Sequence, residues 1–131
     1  MDYKFLLLIG MLFFHIIDDY YLQGFLASAK QKSWWEKNYP QPLYKYDYAM
    51  ALIEHAFSWT VMIHIPIIAY VIVCGIILPN MTTAYLVFFI NMVLHAIIDN
   101  SKANLLKINL IQDQLMHIVQ IIGIWLLYAF L

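Results

Sequence analysis

The sequence contains no arginine, one cysteine (Cys74), and only 11% charged residues. Without arginine the chain lacks the side chain that grips phosphate in a bidentate fork, and seven lysines against eight acids create no basic field. These absences argue against nucleic-acid binding. A single cysteine also excludes an intrachain disulfide and an intrachain thiolate zinc site, so we expect Cys74 to be a packing residue.

Hydrophobic residues make up 64% of the 131 positions, well above the roughly 45–50% of soluble domains. A membrane-spanning helix needs about 20 mostly apolar residues, and four stretches meet that need. We therefore predict one all-α membrane domain over residues 1–131, a bundle of four transmembrane helices covering residues 4–26, 48–78, 82–100 and 110–131. Pro66 removes a backbone donor from the second helix, which predicts a kink or tilt there.

The first apolar stretch also has features of a secretory signal. Lys4, the apolar run over residues 5–17 and the small residues 27–29 match the usual charged, apolar and cleavage regions. His15, Asp18 and Asp19 interrupt the apolar region just before the cleavage-like triplet. We therefore expect this stretch to be a retained helix in contact with the lipid bilayer.

The first connection, residues 27–47, is rich in tryptophan, tyrosine and lysine, which favours a position at the membrane surface. Lysines also occur in residues 101–109, whereas the second connection has none. Because lysine-rich loops stay in the cytoplasm, we predict that residues 27–47 and 101–109 are cytoplasmic and that both termini lie outside. The expected location is the inner membrane of a bacterium, and the composition leaves homo-oligomers possible.

Five of the eight carboxylates lie within or beside the apolar stretches, and no lysine lies among them; they are Asp18, Asp19, Glu54, Asp99 and Asp113. We expect these acids to lack a cationic side chain as partner. A buried carboxylate is costly unless a charge compensates it. The simplest compensating charge is a metal cation.

Histidines accompany these acids at a regular spacing. Three His/Asp pairs are separated by four residues, which places both members on one helix face, and one further histidine lies at the same depth on the second helix. The predicted metal ligands are His15, Asp19, His55, His95, Asp99, Asp113 and His117. Such ligands suit zinc, manganese or iron. Seven ligands exceed what one zinc takes, so two divalent ions fit the count better than one; a structural polar network and an ion pathway are the alternatives.

Further polar residues extend this constellation. Asp18 and Glu54 point about 100° away from Asp19 and His55, so each is a support for a ligand, a general base or an acid at headgroup depth, the last being favoured for Asp18. Asp113 is the third candidate base. The candidate substrate-binding residues are Gln23, Lys30, Lys102 and Gln114, although the two lysines also suit an ordinary cytoplasmic-loop role. We leave His64 outside the site, because the backbone freed by Pro66 can explain its polarity.

The order of the motifs resembles a known family. The motifs are H-x-x-x-D-[FY]-x-x-Q at residues 15–23, the lone His55, H-x-x-x-D-x-x-K at residues 95–102 and D-Q-x-x-H at residues 113–117. Together they are similar to the small bacterial and phage membrane proteins grouped as domain of unknown function 3307, and the similarity extends over all four spans. It implies the His/Asp site and the phage or bacterial origin but no established reaction. Asp18, Glu54 and the paired tryptophans of the first loop depart from the pattern.

Three functions are consistent with these features. The first is a metal-dependent hydrolase acting at the cytoplasmic leaflet on a phosphate- or ester-containing, lipid-like substrate, since a divalent ion activates water and polarises the attacked group. The second is a metal or ion transporter or binding protein, although we expect few polar residues beyond the site. The third is a non-catalytic, phage-type membrane effector whose polar residues only fix the bundle.

Overall fold

A computed structural model describes residues 3–74 and 80–129, and in this part of the chain it is helical with no strand. Four helices are long and apolar enough to cross a membrane, which confirms the predicted all-α, four-span architecture. The α-helices are α1 (Tyr3–Ile17), α2 (Leu26–Ala29), α3 (Lys32–Asn38), α4 (Asp47–Cys74), α5 (Met81–Ala103) and α6 (Leu110–Ala129).

The first span ends earlier than predicted. A π-helical turn, Asp18–Leu22, continues α1, and the chain then leaves the helix at Gly24, whose φ of 48° is left-handed. Glycine adopts this conformation without steric cost. The next segment contains the short helices α2 and α3 and a 3₁₀ turn at Pro42–Tyr44 rather than an irregular loop.

The boundaries of the other spans agree with the sequence to within three residues where they can be compared. Helix α4 continues through Pro66 to Cys74; its predicted last residues, 75–78, lie outside the described residues, as do residues 130–131 of the fourth span. Helix α5 begins after Asn80, whose side-chain oxygen accepts hydrogen bonds from the backbone N–H of Thr82 (2.9 Å) and Thr83 (3.3 Å). Such a cap satisfies amides that the first helical turn leaves unpaired.

The four long helices pack in a ring in the order α1, α4, α5, α6, with α6 again against α1. At one end the Tyr3 and Tyr70 rings stack with centroids 5.0 Å apart, and the Trp125 indole donates to the carbonyl of Lys4 at 2.6 Å. The start of α1 therefore lies beside the ends of α4 and α6. We call this the far end, and the opposite end, which carries residues 23–46 and 104–109, the loop end.

The interior of the bundle changes character along its length. Toward the far end it is an apolar cluster of Met11, Trp59, Ile63, Ile67, Ile121 and Ile124. Toward the loop end the buried side chains are mainly histidine and aspartate. Many large apolar side chains on the outer surface are exposed, as expected for helices that face lipid. The buried aspartates, and the histidines other than His64, are thus gathered inside one end of a bundle with an apolar exterior.

The connection between α1 and α4 covers the loop end. Its aromatic rings pack together, with Trp34 and Trp35 at 5.0 Å and Tyr39 and Tyr44 at 5.3 Å between centroids. Asn104, at the end of α5, accepts a hydrogen bond from the Lys32 N–H (2.7 Å) and donates one to the Lys30 carbonyl (3.0 Å). These bonds hold the first connection over the end of α5.

Candidate metal centre

All four long helices bring polar side chains to one depth near the loop end. The three predicted pairs are intact: the closest N to O distances are 3.6 Å for His15/Asp19, 3.8 Å for His95/Asp99 and 3.5 Å for His117/Asp113. His55 of α4 completes the layer, with Nε2 3.4 Å from Asp19 Oδ1 and 3.4 Å from Asp99 Oδ2. The convergence predicted from the spacing is therefore present.

Two overlapping groups within this layer could hold a metal ion. One is Asp19, His55 and His95, and the other is His95, Asp99 and His117; in each, the ligand atoms lie within 4.8 Å of one another. Ligands bound tetrahedrally at about 2.0–2.1 Å are about 3.3 Å apart. The contacts from His55 to Asp19 and Asp99, at 3.4 Å, and from His117 Nε2 to Asp99 Oδ1, at 3.2 Å, are close to this separation.

The hydrogen bonding of these groups also suits a cation. In the described part of the chain, neither ring nitrogen of His95 or of His55 has a hydrogen-bond partner, and both rings are buried. The same holds for one nitrogen of His117 and one oxygen of Asp19. Buried polar atoms are nearly always paired, and those that are not call for an explanation such as an ion or water. A metal would satisfy several of them at once.

His15 was predicted as a ligand, but its lone pair is already engaged. The Trp59 indole N–H, which can only donate, lies 2.8 Å from His15 Nδ1. Nδ1 is therefore the acceptor, and Nε2 carries the proton that it donates to the Gln114 side-chain oxygen at 3.2 Å. This arrangement places His15 beside the metal groups as a positioning residue. The sequence does not predict the hydrogen bond between Trp59 and His15, because a tryptophan in an apolar run is expected to be a packing residue.

Gln114 and Asp18 support ligands rather than face a substrate. Gln114 Nε2 donates to Asp19 Oδ2 at 3.1 Å. Asp18 is 1% exposed, accepts a hydrogen bond from Ser58 at 2.6 Å and lies 3.5 Å from His55 Nδ1. Asp18 is therefore buried inside the bundle rather than exposed on its surface. The π-helical turn explains this, since its wider winding brings Asp18 and Asp19 to the same interior.

Glu54 is not part of the centre. Its side chain is exposed, although the next residue, His55, is fully inside the bundle. One position along an α-helix rotates the side chain by about 100°, and on α4 no π-helical turn offsets that rotation. We therefore withdraw Glu54 as a candidate general base.

The expectation that the buried acids lack a cationic partner is wrong for two of them. Lys30 Nζ lies 2.5 Å from Asp99 Oδ2, and Lys102 Nζ lies 2.7 Å from Asp113 Oδ2. Both lysines come from outside the apolar runs. Lys30 reaches inward because Asn104 fixes its backbone, and Lys102 reaches α6 because a short connection brings the two helices together. No lysine ion pair reaches Asp18 or Asp19 among the described residues.

A pocket of about 370 Å³ at the loop end leads to this layer. Lys30, Lys102 and Asp99 line it together with Gln23, whose side chain donates to the Asp19 carbonyl at 2.6 Å. Of the four predicted substrate-binding residues, the structure thus places Gln23 and both lysines in one pocket, whereas Gln114 is half-buried and hydrogen-bonded to His15 and Asp19. Asp113 lies behind Lys102, and its Oδ1 has no hydrogen-bond partner in the part of the chain that the structure describes.

Comparison of the chain with protein-family models, with curated proteins and with solved structures finds no match in any of the three.

Proposed function

We propose that this protein is an integral membrane metalloenzyme that hydrolyses a phosphate- or ester-containing lipid at the cytoplasmic leaflet. The observation that carries the proposal is the juxtaposition of two features at the loop end. Buried imidazole and carboxylate groups without hydrogen-bond partners lie directly beneath a pocket lined by two lysines. The first feature suits a divalent cation, and the second suits an anionic substrate.

Charge and valence favour one ion over two. Four aspartates and two lysines meet at the site, leaving two negative charges when the histidines are neutral. One divalent ion neutralises that excess.

His95 belongs to both possible ligand groups. Because a neutral imidazole has a single lone pair, His95 binds one ion at a time. The ligands are therefore either Asp19, His55 and His95 or His95, Asp99 and His117, and zinc, manganese and iron all accept such a set.

The remaining groups have distinct roles in this proposal. A divalent ion supplies a strong nucleophile by activating bound water at neutral pH. Asp113 Oδ1, 3.5 Å from His117 Nε2 and without a hydrogen-bond partner, is the candidate general base. Lys30 and Lys102 turn from Asp99 and Asp113 toward the anionic group of a substrate in the pocket. The pocket is at the loop end, where the lysine distribution predicts cytoplasm, so the substrate is a lipid of that leaflet.

Elemental analysis and a lipid panel test the proposal. The protein is purified in detergent without chelator, and bound zinc, manganese and iron are measured per chain. It is then incubated with phosphatidic acid, polyprenyl phosphate, phospholipids and acyl esters. We expect about one ion per chain, as the single lone pair of His95 allows, and metal-dependent release of phosphate or acid from one lipid class.

Matched acid-to-amide variants provide the control. Asp99→Asn removes a buried charge at the centre, whereas Glu54→Gln makes the same chemical change on the exposed face of α4. Loss of metal and hydrolysis in Asp99→Asn with both retained in Glu54→Gln supports the proposal. If the protein binds stoichiometric metal but hydrolyses none of the lipids, it is a metal-binding protein and the proposed enzymatic activity is refuted. A metal content near zero refutes both metal binding and the enzymatic activity.

A further inference from the structure

A second set of buried polar side chains lies between the histidine layer and the far end. Thr60, His64 and Asn91 are each at most 4% exposed, and Gln120 is half-buried beside Asn91. The surroundings are the apolar core and, outside, lipid. Polar groups at such depth are costly in a membrane and mark functional pathways or sites. The metal centre described above uses none of these four residues.

These residues continue the face of the metal centre toward the far end. Asn91 precedes His95 by four residues on α5, and Gln120 follows His117 by three on α6, so each lies about one turn beyond its histidine on the same helix face. The rings of His95 and His117 stack with centroids 4.2 Å apart. In the next turn, the Gln120 amide donates to the carbonyl and the side-chain oxygen of Asn91, and the Asn91 amide reaches Thr60 Oγ1 at 3.5 Å.

His64 extends the series by one more turn. Its Nδ1 lies 2.7 Å from the carbonyl oxygen of Thr60. A carbonyl only accepts, so Nδ1 carries the proton and Nε2 holds the lone pair. Within residues 3–74 and 80–129, Nε2 is buried and has no hydrogen-bond partner, and the same is true of the side-chain oxygen of Gln120. Two buried acceptors without donors indicate ordered water, which usually bonds to such groups.

The series leads into a cavity at the far end. His64 is the most polar residue lining a pocket of about 490 Å³ whose other walls are mainly apolar, with Tyr85, Tyr128 and Met81 among them. Met81 is the first residue of α5, so the pocket reaches the end of the bundle opposite the lysines. Polar groups thus extend from the pocket of Lys30 and Lys102, through the histidine layer, as far as His64, which borders the cavity at the far end.

We infer that Thr60, Asn91, Gln120 and His64 order a chain of water molecules that conducts protons between the histidine layer and the far end of the bundle. At the outer end, His64 Nε2 accepts a proton from a hydronium ion, which becomes water. It then gives that proton to another water molecule, which becomes hydronium, so the ring is unchanged after each passage. The amide and hydroxyl groups hold the water in line without changing protonation. A purely structural role, in which these side chains only join helices by hydrogen bonds, does not explain why the acceptor atoms of Gln120 and His64 have no donor among the described residues.

Proteoliposomes test this inference directly. The full chain is reconstituted into vesicles containing a pH-sensitive dye, a potassium gradient with valinomycin sets the membrane potential, and the rate of internal pH change is recorded. We expect the wild-type protein to conduct protons faster than protein-free vesicles. His64→Gln keeps an N–H for the Thr60 carbonyl but cannot take up a proton, and we expect it to return the rate to that of protein-free vesicles.

A matched threonine pair separates the path from general damage. Thr60→Val removes the hydroxyl from the series, whereas Thr83→Val makes the same change at an exposed position in the first turn of α5. We expect flux to fall in the first variant and to stay unchanged in the second. Wild-type flux equal to that of protein-free vesicles, or full flux in His64→Gln, overturns the inference. Bound metal and lipid hydrolysis, measured on the same samples, report separately on the proposed enzyme, since the path does not depend on hydrolysis.

Discussion

The ammonium group of Lys30 lies 2.5 Å from Oδ2 of Asp99, although the two residues are 69 positions apart in the chain. Both side chains are nearly buried, at 11% and 4% exposure. Asp99 is also within 3.2 Å of His117 and 3.4 Å of His55, so it joins the candidate metal ligands to the first connection. Lys30 therefore occupies one oxygen of a carboxylate that a metal would use, and the two cations compete for it.

This competition predicts opposite effects of Lys30→Met on stability and on metal affinity. Removing one member of a buried ion pair costs about 3–5 kcal/mol, because the other charge remains unpaired. We expect the variant to unfold at a lower temperature than wild type in chelator, and to be stabilised more than wild type by added zinc. Thermal unfolding in detergent with chelator and with a zinc series measures both effects.

An exposed lysine provides the control for that experiment. Lys32 pairs with Glu36 at 3.5 Å, with side chains 48% and 64% exposed, and exposed pairs of this kind contribute little to stability. Lys32→Met should match wild type in both conditions. If Lys30→Met also matches wild type in chelator, the Lys30 and Asp99 side chains are not paired in the membrane.

The different environments of His15 and His95 predict different metal contents after substitution. His95→Ala removes the residue common to both ligand groups, so bound metal should be lost. His15→Ala leaves every proposed ligand in place but removes the acceptor for the Trp59 N–H; an unpaired buried donor costs about 1–3 kcal/mol. We expect lower stability with metal retained, measured by unfolding and elemental analysis. If a folded His15→Ala protein binds no metal, His15 is a metal ligand and this prediction is wrong.

Much of the fold follows from the sequence. Hydrophobic length identifies the four spans because a bilayer demands long apolar helices, and the separation of four residues identifies each His/Asp pair because helical geometry makes such residues neighbours. The resemblance to the family of unknown function rests on the same motifs and stays a prediction. Local rules are sufficient for these features, since each depends on residues within one or two turns.

Other features of the site depend on contacts that no local rule contains. The pairing of Lys30 with Asp99 requires the first connection to fold back over α5, and the inward turn of Asp18 requires a π-helical turn in place of an α-helical one. The state of His15 depends on Trp59, 44 residues away. His64 was set aside because of Pro66, yet its hydrogen bond goes to the Thr60 carbonyl rather than to the carbonyl that Pro66 leaves free.

Metal affinity should fall as the pH is lowered. Histidine nitrogens bind metal only after losing their protons, so protons compete with the ion, and each ion bound releases protons. We therefore expect the dissociation constant for zinc to rise as the pH is lowered. Competition with a metal indicator at several pH values measures it. His64→Gln should show the same dependence, because His64 belongs to neither ligand group, and a flat wild-type profile contradicts ligation by histidine.

Two glycines predict opposite responses to alanine. A Cβ at Gly10 would lie 3.0 Å from Cγ and 3.1 Å from Cβ of Pro66, whereas a Cβ at Gly123 would meet no atom of the described residues within 4 Å. The proline ring is rigid, so Gly10→Ala must push α1 and α4 apart, and overpacking of this kind costs about 1–3 kcal/mol. Gly123→Ala should instead leave stability unchanged or raise it by up to about 1 kcal/mol, because alanine favours helix more than glycine does. Thermal unfolding of both variants in one detergent gives the comparison, and shifts of the same sign in both would contradict the close contact between α1 and α4.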